Sequence, residues 1–433
     1  MPQLRLRIVL LSTVLMLNGC QQQTPAPPAA APKADAPPTV PDDETAVQGL
    51  TDAGFILTTD QSGLVVEASM NAGEDISATL SQLSGLPNLK KIGLSGPGMS
   101  DKGLEVLAQL PNLTHLDLSD SAITDETLKT VAMLPNLQVL GLRRTGLTDP
   151  GLAVLSKLPK IRAIDLRNSN TTDEGVKHFS GLKTLTDIQL EKSKVTDAGV
   201  ASLGKLPLKN INLNYCTSIS DESMTVLGKI PTLEGIQLDY TKITDVGMAN
   251  LANLNKLKRL RIRGADVTGE GLAHIAKLTA MQRLELRDTS LDDAGLEIIS
   301  NLPAVNYLDI SECRIASPKG MQHIGKLTNL TYLGFWETKL NDEAFNAFGD
   351  LVNVEELDLK ASRVTDASVP TLLKMTKLKK LNLAGTQLTD DGFQQLSQLP
   401  NLKEINVANT NIDSSIIDEL AAKEGLKVIE FEN

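Results

Sequence analysis

Aspartate returns every 24 residues along much of this chain, at Asp101, Asp125, Asp149, Asp173, Asp197, Asp221 and Asp245, each time after a threonine or serine. A fixed period of this size means a solenoid, in which each unit touches only its neighbours and stacking supplies the core. A stack grows without its core thickening, so 433 residues need not divide into several globular domains. Aromatic residues are only 3% of the chain, and leucine fills the apolar positions in columns.

One unit, Leu113 to Asn136, reads LTHLDLSDSAITDETLKTVAMLPN. Leu113, Leu116 and Leu118 alternate as in a short strand buried on one side. A turn follows, with Ser121 and Ile123 directed inward. Thr124 has the chemistry of a helix N-cap. Leu128, Val131 and Leu134 line one face of the next helix, and Pro135 forbids its continuation. The Asp column sits where carboxylates meet the positive end of a helix dipole, a better reading than a calcium ladder.

The strand signature recurs as LKKIGL at Leu89, LQVLGL at Leu137, LTDIQL at Leu185, LEGIQL at Leu233, LTYLGF at Leu330 and LKKLNL at Leu378. Sixteen such segments run from Val65 to Leu426. This pattern resembles the leucine-rich repeat family. Cys216-Thr217-Ser218-Ile219-Ser220-Asp221 is similar to the Cys-x-x-Ile-Thr-Asp turn of its cysteine-containing subtype. The resemblance implies an α/β solenoid, curved, with a parallel β-sheet on the concave face and short helices on the convex face. At ~4.8 Å per strand its spine would be roughly 75 Å long.

The N-terminus is different. Arg5 and Arg7 precede an apolar run, Ile8 to Leu17, too short to span a bilayer as a helix. Leu17-Asn18-Gly19-Cys20 resembles the lipobox of bacterial lipoproteins, although Asn18 stands where a small residue is usual. That resemblance implies a signal peptide over residues 1–19 and a lipid on Cys20. Residues 20–45 are rich in proline and alanine and read as an extended linker. The solenoid then occupies residues 46–433. The expectation is an exported protein held at the cell envelope by its lipid, with the outer membrane implied by Gln21.

Small residues fill one column of the turns: Ser121, Thr145, Ser169, Ser193, Cys216, Thr241, Thr289, Cys313, Thr338, Thr386 and Thr410. Each can satisfy the backbone of a neighbouring turn. Cys216 and Cys313 are four repeats apart, roughly 19 Å by strand spacing, beyond the reach of a disulfide. Three scattered cysteines and four histidines offer no metal-ligand spacing, so no cofactor is expected. A formal charge of −11 and a pI of about 5.0 argue against nucleic acid as a partner.

The informative positions flank each buried strand leucine and project onto the concave face. Early repeats present Val139, Gly141 and Arg143, then Ala163, Asp165 and Arg167; a middle repeat presents Asn210, Asn212 and Asn214. Four strands then carry Arg259, Arg261 and Arg263; Arg283, Glu285 and Arg287; Tyr307, Asp309 and Ser311; Tyr332, Gly334 and Trp336. The chain has four tyrosines and one tryptophan. Two of those tyrosines and the tryptophan fall in this strip, and Tyr215 and Tyr240 fall on nearby turns. Arginine, tyrosine and tryptophan dominate binding hot spots, and Gly334 reads as a notch between two aromatic walls. The expected ligand surface is therefore Arg259, Arg261, Arg263, Arg283, Glu285, Arg287, Tyr307, Asp309, Tyr332 and Trp336. A protein is the first partner class and a glycan the second.

Glu285 and Asp309 fall roughly 5 Å apart on adjacent strands, a spacing that retaining glycosidases use. A general acid must hold a proton, however, and flanking arginines favour the charged form. No nucleophile elbow or phosphate loop occurs elsewhere. The expectation is a non-enzymatic binding protein, with an envelope spacer lacking any discrete ligand as the alternative. A ubiquitin-ligase adaptor would need a helical F-box, which residues 21–60 cannot supply.

Overall fold

The computed structural model describes residues 40–431. The expected signal peptide, Cys20 and most of the linker lie outside them.

A capping helix, α1 (Glu44–Asp52), opens the described chain, with the Asp43 carboxylate accepting from Thr45 N and Ala46 N. Its fully buried Leu50 joins the core of the first repeat. Seventeen strands then form one sheet among the described residues. They are β1 (Ile56–Thr59), β2 (Val65–Asn71), β3 (Lys91–Ser95), β4 (His115–Asp117), β5 (Val139–Gly141) and β6 (Ala163–Asp165). Next come β7 (Asp187–Gln189), β8 (Asn210–Asn212), β9 (Gly235–Gln237), β10 (Arg259–Arg261), β11 (Arg283–Glu285) and β12 (Tyr307–Asp309). The last five are β13 (Tyr332–Gly334), β14 (Glu356–Asp358), β15 (Lys380–Asn382), β16 (Glu404–Asn406) and β17 (Lys427–Ile429).

Strands β2 to β17 add in parallel and in chain order, and they are the sixteen segments read from the sequence. β1 is an addition to that reading. It pairs antiparallel with β2, so the first strand of the solenoid is covered by a hairpin. Between strands the chain returns through short α- or 3-10 helices such as Asp125–Val131 and Asp197–Leu203. The core is a continuous column of buried leucine and isoleucine. Six of the seven phenylalanines are buried in it, including the packed group Phe335, Phe345 and Phe348.

Most strands stop after three residues for a local reason. The third residue is repeatedly Asp or Asn, and its Oδ1 accepts from the backbone N–H two residues on. Asp117 does so from Ser119, Asp165 from Arg167, Asp309 from Ser311 and Asp358 from Lys360, each at 3.0 Å. This Asx turn withdraws the N–H from the sheet ladder. A residue in the left-handed region follows in almost every repeat, from Asp120 at φ 58° to Asn409 at φ 55°.

The Asp column does more than meet a helix dipole. Each carboxylate reaches into the next repeat and binds its N-cap residue twice. Asp149 accepts from Thr172 N at 2.9 Å and Thr172 Oγ1 at 2.5 Å, and Asp173, Asp221 and Asp245 repeat the pattern on Thr196, Thr244 and Thr268. The same column explains the glycine that often follows two residues after Asp. A Cβ on Gly175 would lie 2.2 Å from Asp149 Oδ1, and one on Gly247 the same distance from Asp221 Oδ1. In some repeats that residue instead donates a hydroxyl, as Thr127 does to Asp101 and Ser368 to Asp342, both at 2.6 Å.

The small-residue turn column is buried as far as Thr386, with Thr410 half-buried near the C-terminal end, but its hydrogen bonds are not uniform. Hydroxyls close their own turn, as Thr145 Oγ1 does on Leu142 O at 2.7 Å. The thiols reach back one repeat: Cys216 Sγ to Leu190 O and Cys313 Sγ to Leu286 O, both at 3.1 Å. Burial pushes the Cys313 thiol up to about 11 and raises that of Cys216 as well. Both are free. We expect neither to be alkylated by iodoacetamide at pH 8 in the native protein, and both to be alkylated in guanidinium, as read by peptide mass mapping. Native-state labelling of either would contradict this packing.

Candidate functional site

The parallel register places the expected surface residues on one face of the sheet, opposite the helices. Arg259, Arg283, Tyr307 and Tyr332 share one row across β10 to β13, and Arg261, Glu285, Asp309 and Gly334 share the next. Glu285 and Asp309 are register partners.

The charges in this band form a ladder whose rungs cross strands. Arg261 Nε donates to Asp239 Oδ2 at 2.6 Å and lies 3.7 Å from Glu285 Oε2. Arg283 Nε donates to Glu285 Oε1 at 2.6 Å. Arg287 Nε donates to Glu312 Oε1 at 2.6 Å, and Arg263 lies 3.8 Å from the same oxygen. The Asp239 side chain is fully buried. Burial pushes its carboxyl above the usual aspartate range, against the opposing pull of Arg261. Asp309 takes part in no ion pair among the described residues; its Oδ1 closes the Asx turn.

Arg259 differs from the other arginines. Its side chain crosses β9 over Gly235, where a Cβ would stand 3.2 Å from Nε, and donates from Nη2 to Asn210 Oδ1 at 2.6 Å. It is exposed, and among the described residues it forms no ion pair. A guanidinium with four further N–H donors therefore faces solvent.

The aromatic residues stack with cations rather than standing as separate walls. Arg283 lies 3.6 Å from the centroid of Tyr307, which stacks on Tyr332 at 4.0 Å with 4° between the planes. Arg287 and Lys360 lie 4.0 and 5.0 Å from the Trp336 ring. At the edge of the sheet Tyr215 and Tyr240 stack at 5.0 Å, with Lys192 over one and Arg263 over the other. Desolvation raises the hydroxyls of Tyr307 and Tyr332 above their ordinary value. The notch expected at Gly334 is filled: a Cβ there would lie 2.8 Å from Asp309 Oδ1 and 3.1 Å from Ser311 Oγ. Glycine at 334 makes room for its neighbours, not for a ligand.

Sequence reasoning passed over three members of this band. Asp239, Glu312 and Lys360 supply the counter-charges and a ring contact, but each stands beyond the three-residue strand, in or beside the turn. The fifth-position column that also contains Arg263, Arg287 and Trp336 was the available signal for Asp239 and Lys360.

Two sequence models match the chain: a leucine-rich repeat region over residues 292–433 and a single leucine-rich repeat over residues 109–132. Together with the sheet of stacked LxxLxL strands, these matches decide the family. The chain is a leucine-rich repeat protein. No curated protein sequence matches it. Solved leucine-rich repeat structures share the fold. A Leptospira interrogans protein aligns at 20% identity over 88% of this chain and 97% of that one, with a TM-score of 0.56. A chain of the yeast Rad7–Elc1 complex aligns at 20% identity over 77% and 84%, with a TM-score of 0.54. The ectodomain of the Arabidopsis receptor kinase HAESA aligns at 14% identity over 89% and 70%, with a TM-score of 0.52. At these identities the likeness is one of fold.

Proposed function

We propose that this leucine-rich repeat protein is a non-enzymatic cell-envelope lipoprotein that holds a protein partner on the open face of its sheet, around Arg259 to Trp336. The observation that carries the reading is Arg259, an exposed guanidinium with no counter-ion among the described residues, beside the cation-stacked columns of Tyr307, Tyr332 and Trp336. Such a band offers large rigid contact area and unspent directional donors, the combination that dominates interface energetics. Neighbours in fold occur in complexes with polypeptides: the plant ectodomain with a peptide hormone, and a chain of the Rad7–Elc1 complex with the other.

Glu285 does not favour a hydrolase. Its oxygens are engaged by Arg283 and Arg261, and its register partner Asp309 is turned into a backbone hydrogen bond. The anchor rests on Cys20 and the apolar run before it. Mass spectrometry of the mature N-terminus should find a diacylglyceryl-modified Cys20, lost in Cys20→Ala; an unmodified Cys20 would remove the anchor from the proposal.

The binding test is a comparison of the parent chain with Arg259→Ala/Trp336→Ala. Cross-linked partners are captured from envelope extract and then measured with purified partner. The variant is expected to lose about 2 kcal/mol or more, roughly thirtyfold in affinity, with circular dichroism unchanged. Equal affinity in the two proteins would favour the spacer.

A further inference from the structure

On the N-terminal side of the arginine band, over β2 to β7, the same face sinks into a trough of about 520 Å³. Its floor is Val139 on β5 and Ala163 on β6; the Asp117 carboxylate covers Gly141 beside them, since a Cβ there would lie 2.3 Å from Asp117 Oδ1. On one side the lining runs through His115 and Asp117 on β4 to Lys91 on β3 and Glu67 on β2, and on the other it ends at Asp187 and Gln189 on β7. From β4 to β7 is three strand steps, about 14 Å. An apolar floor with a few polar groups at its edge is the usual composition of a binding site.

The charges at the edge are unbalanced. Lys91, the cation among the lining residues, lies 3.6 Å from Glu67, and Asp165 is paired with Arg167 at 2.6 Å. Asp117 accepts from the backbone N–H of Ser119 at 3.0 Å. Asp187 accepts from the amides of Gln189 at 2.6 Å and Asn210 at 2.9 Å. Among the described residues neither Asp117 nor Asp187 is in an ion pair. His115 does not offset them, because burial and nearby Lys91 hold it below its ordinary pKa and so neutral at pH 7. Two carboxylates that are in no ion pair among the described residues therefore stand on either side of Val139 and Ala163.

We propose that this trough is a second docking site, which takes an extended protein segment carrying an aliphatic side chain beside a lysine or arginine. The aliphatic group covers Val139 and Ala163, and the cation pairs with Asp117 or Asp187. The depression is open along the sheet face, which suits a chain passing across it better than a small ligand needing enclosure on most sides. The trough is lined by none of the arginine-band residues, so the proposal is independent of the one above.

The test pans a random peptide library displayed on phage against the full chain, then measures synthetic copies of the winners. Winners are expected to place an aliphatic residue next to Lys or Arg and to weaken as salt rises. Ala163→Phe, which fills the floor from a half-buried position, should weaken them more than about tenfold, as should Asp117→Asn/Asp187→Asn. Val139→Phe serves as the second floor-filling variant should Ala163→Phe fail to fold by circular dichroism. Arg259→Ala should leave binding unchanged. Acidic or purely polar winners, affinity that survives the filled floor, or no enrichment at all would overturn the proposal. Loss in Arg259→Ala alone would overturn it too, while leaving the arginine band as a binding surface.

Discussion

Replacing Arg261 with alanine is expected to lower the unfolding free energy by about 3 kcal/mol or more, because it leaves a buried carboxylate without its partner. That carboxylate is Asp239, whose side chain is fully buried and whose Oδ2 takes the Arg261 Nε hydrogen at 2.6 Å. Arg259→Ala, two residues away but exposed and, among the described residues, hydrogen-bonded through its side chain to Asn210, should change stability by no more than about 0.5 kcal/mol. Two further results distinguish this cause from general loss of packing. Asp239→Asn should restore much of the Arg261→Ala deficit, since the amide keeps an acceptor for Arg263 N without a charge. The deficit should also shrink as pH falls. A buried aspartate with a raised folded pKa takes up a proton more readily than in the unfolded chain, so acid favours the folded state of that group. Urea midpoints at pH 7 and pH 4.5 measure both effects. A deficit that persists in the double variant would assign it to packing.

Asp197→Ala should cost about 4 kcal/mol, from four hydrogen bonds worth about 1 kcal/mol each net. Its carboxylate accepts from Ser220 N at 2.9 Å, Ser220 Oγ at 2.6 Å, Ser223 N at 3.2 Å and the Ser223 hydroxyl. Burial alone would raise its carboxyl, but the hydrogen bonds outweigh it and hold Asp197 below the usual range, as they do Asp101. A depressed folded value means that stability is present above the unfolded value of 3.8 and is lost as pH falls through the folded one. The parent should therefore lose stability below about pH 4, and Asp197→Asn should lose less of it over the same range. Guanidinium midpoints at pH 7 and pH 3 test this. An alanine variant as stable as the parent would mean that the inter-repeat bonds contribute little.

The periodic features were readable because each repeat solves the same local problem. The buried leucines, the N-cap threonines and the turn column all follow from patterns within one unit. What lay beyond reading was the traffic between units. Asp149 is in one repeat while the groups it binds, the backbone N–H and hydroxyl of Thr172, are in the next, and a single 24-residue window contains no sign of the link. The antiparallel strand Ile56–Thr59 carries no LxxLxL signature, since it covers the end of the stack instead of extending it. On the open face, residue type located the arginine and aromatic band. It could not show that Asp239 and Glu312, rather than Asp309, take the arginine charges, or that Asp309 fills the space over Gly334. The trough over β5 and β6 was present in the sequence as Val139 and Ala163, but small residues read as an absence of feature until the sheet sets Asp117 and Asp187 on either side of them.

Photo-cross-linking tests the central claim most directly. p-Benzoylphenylalanine is placed either at position 307 on the open face or at position 246, where Val246 is 73% exposed on the helical side. Both full-length proteins are then irradiated in envelope extract. The account predicts a discrete protein adduct from position 307 and none from position 246. An adduct from position 246 alone would contradict it.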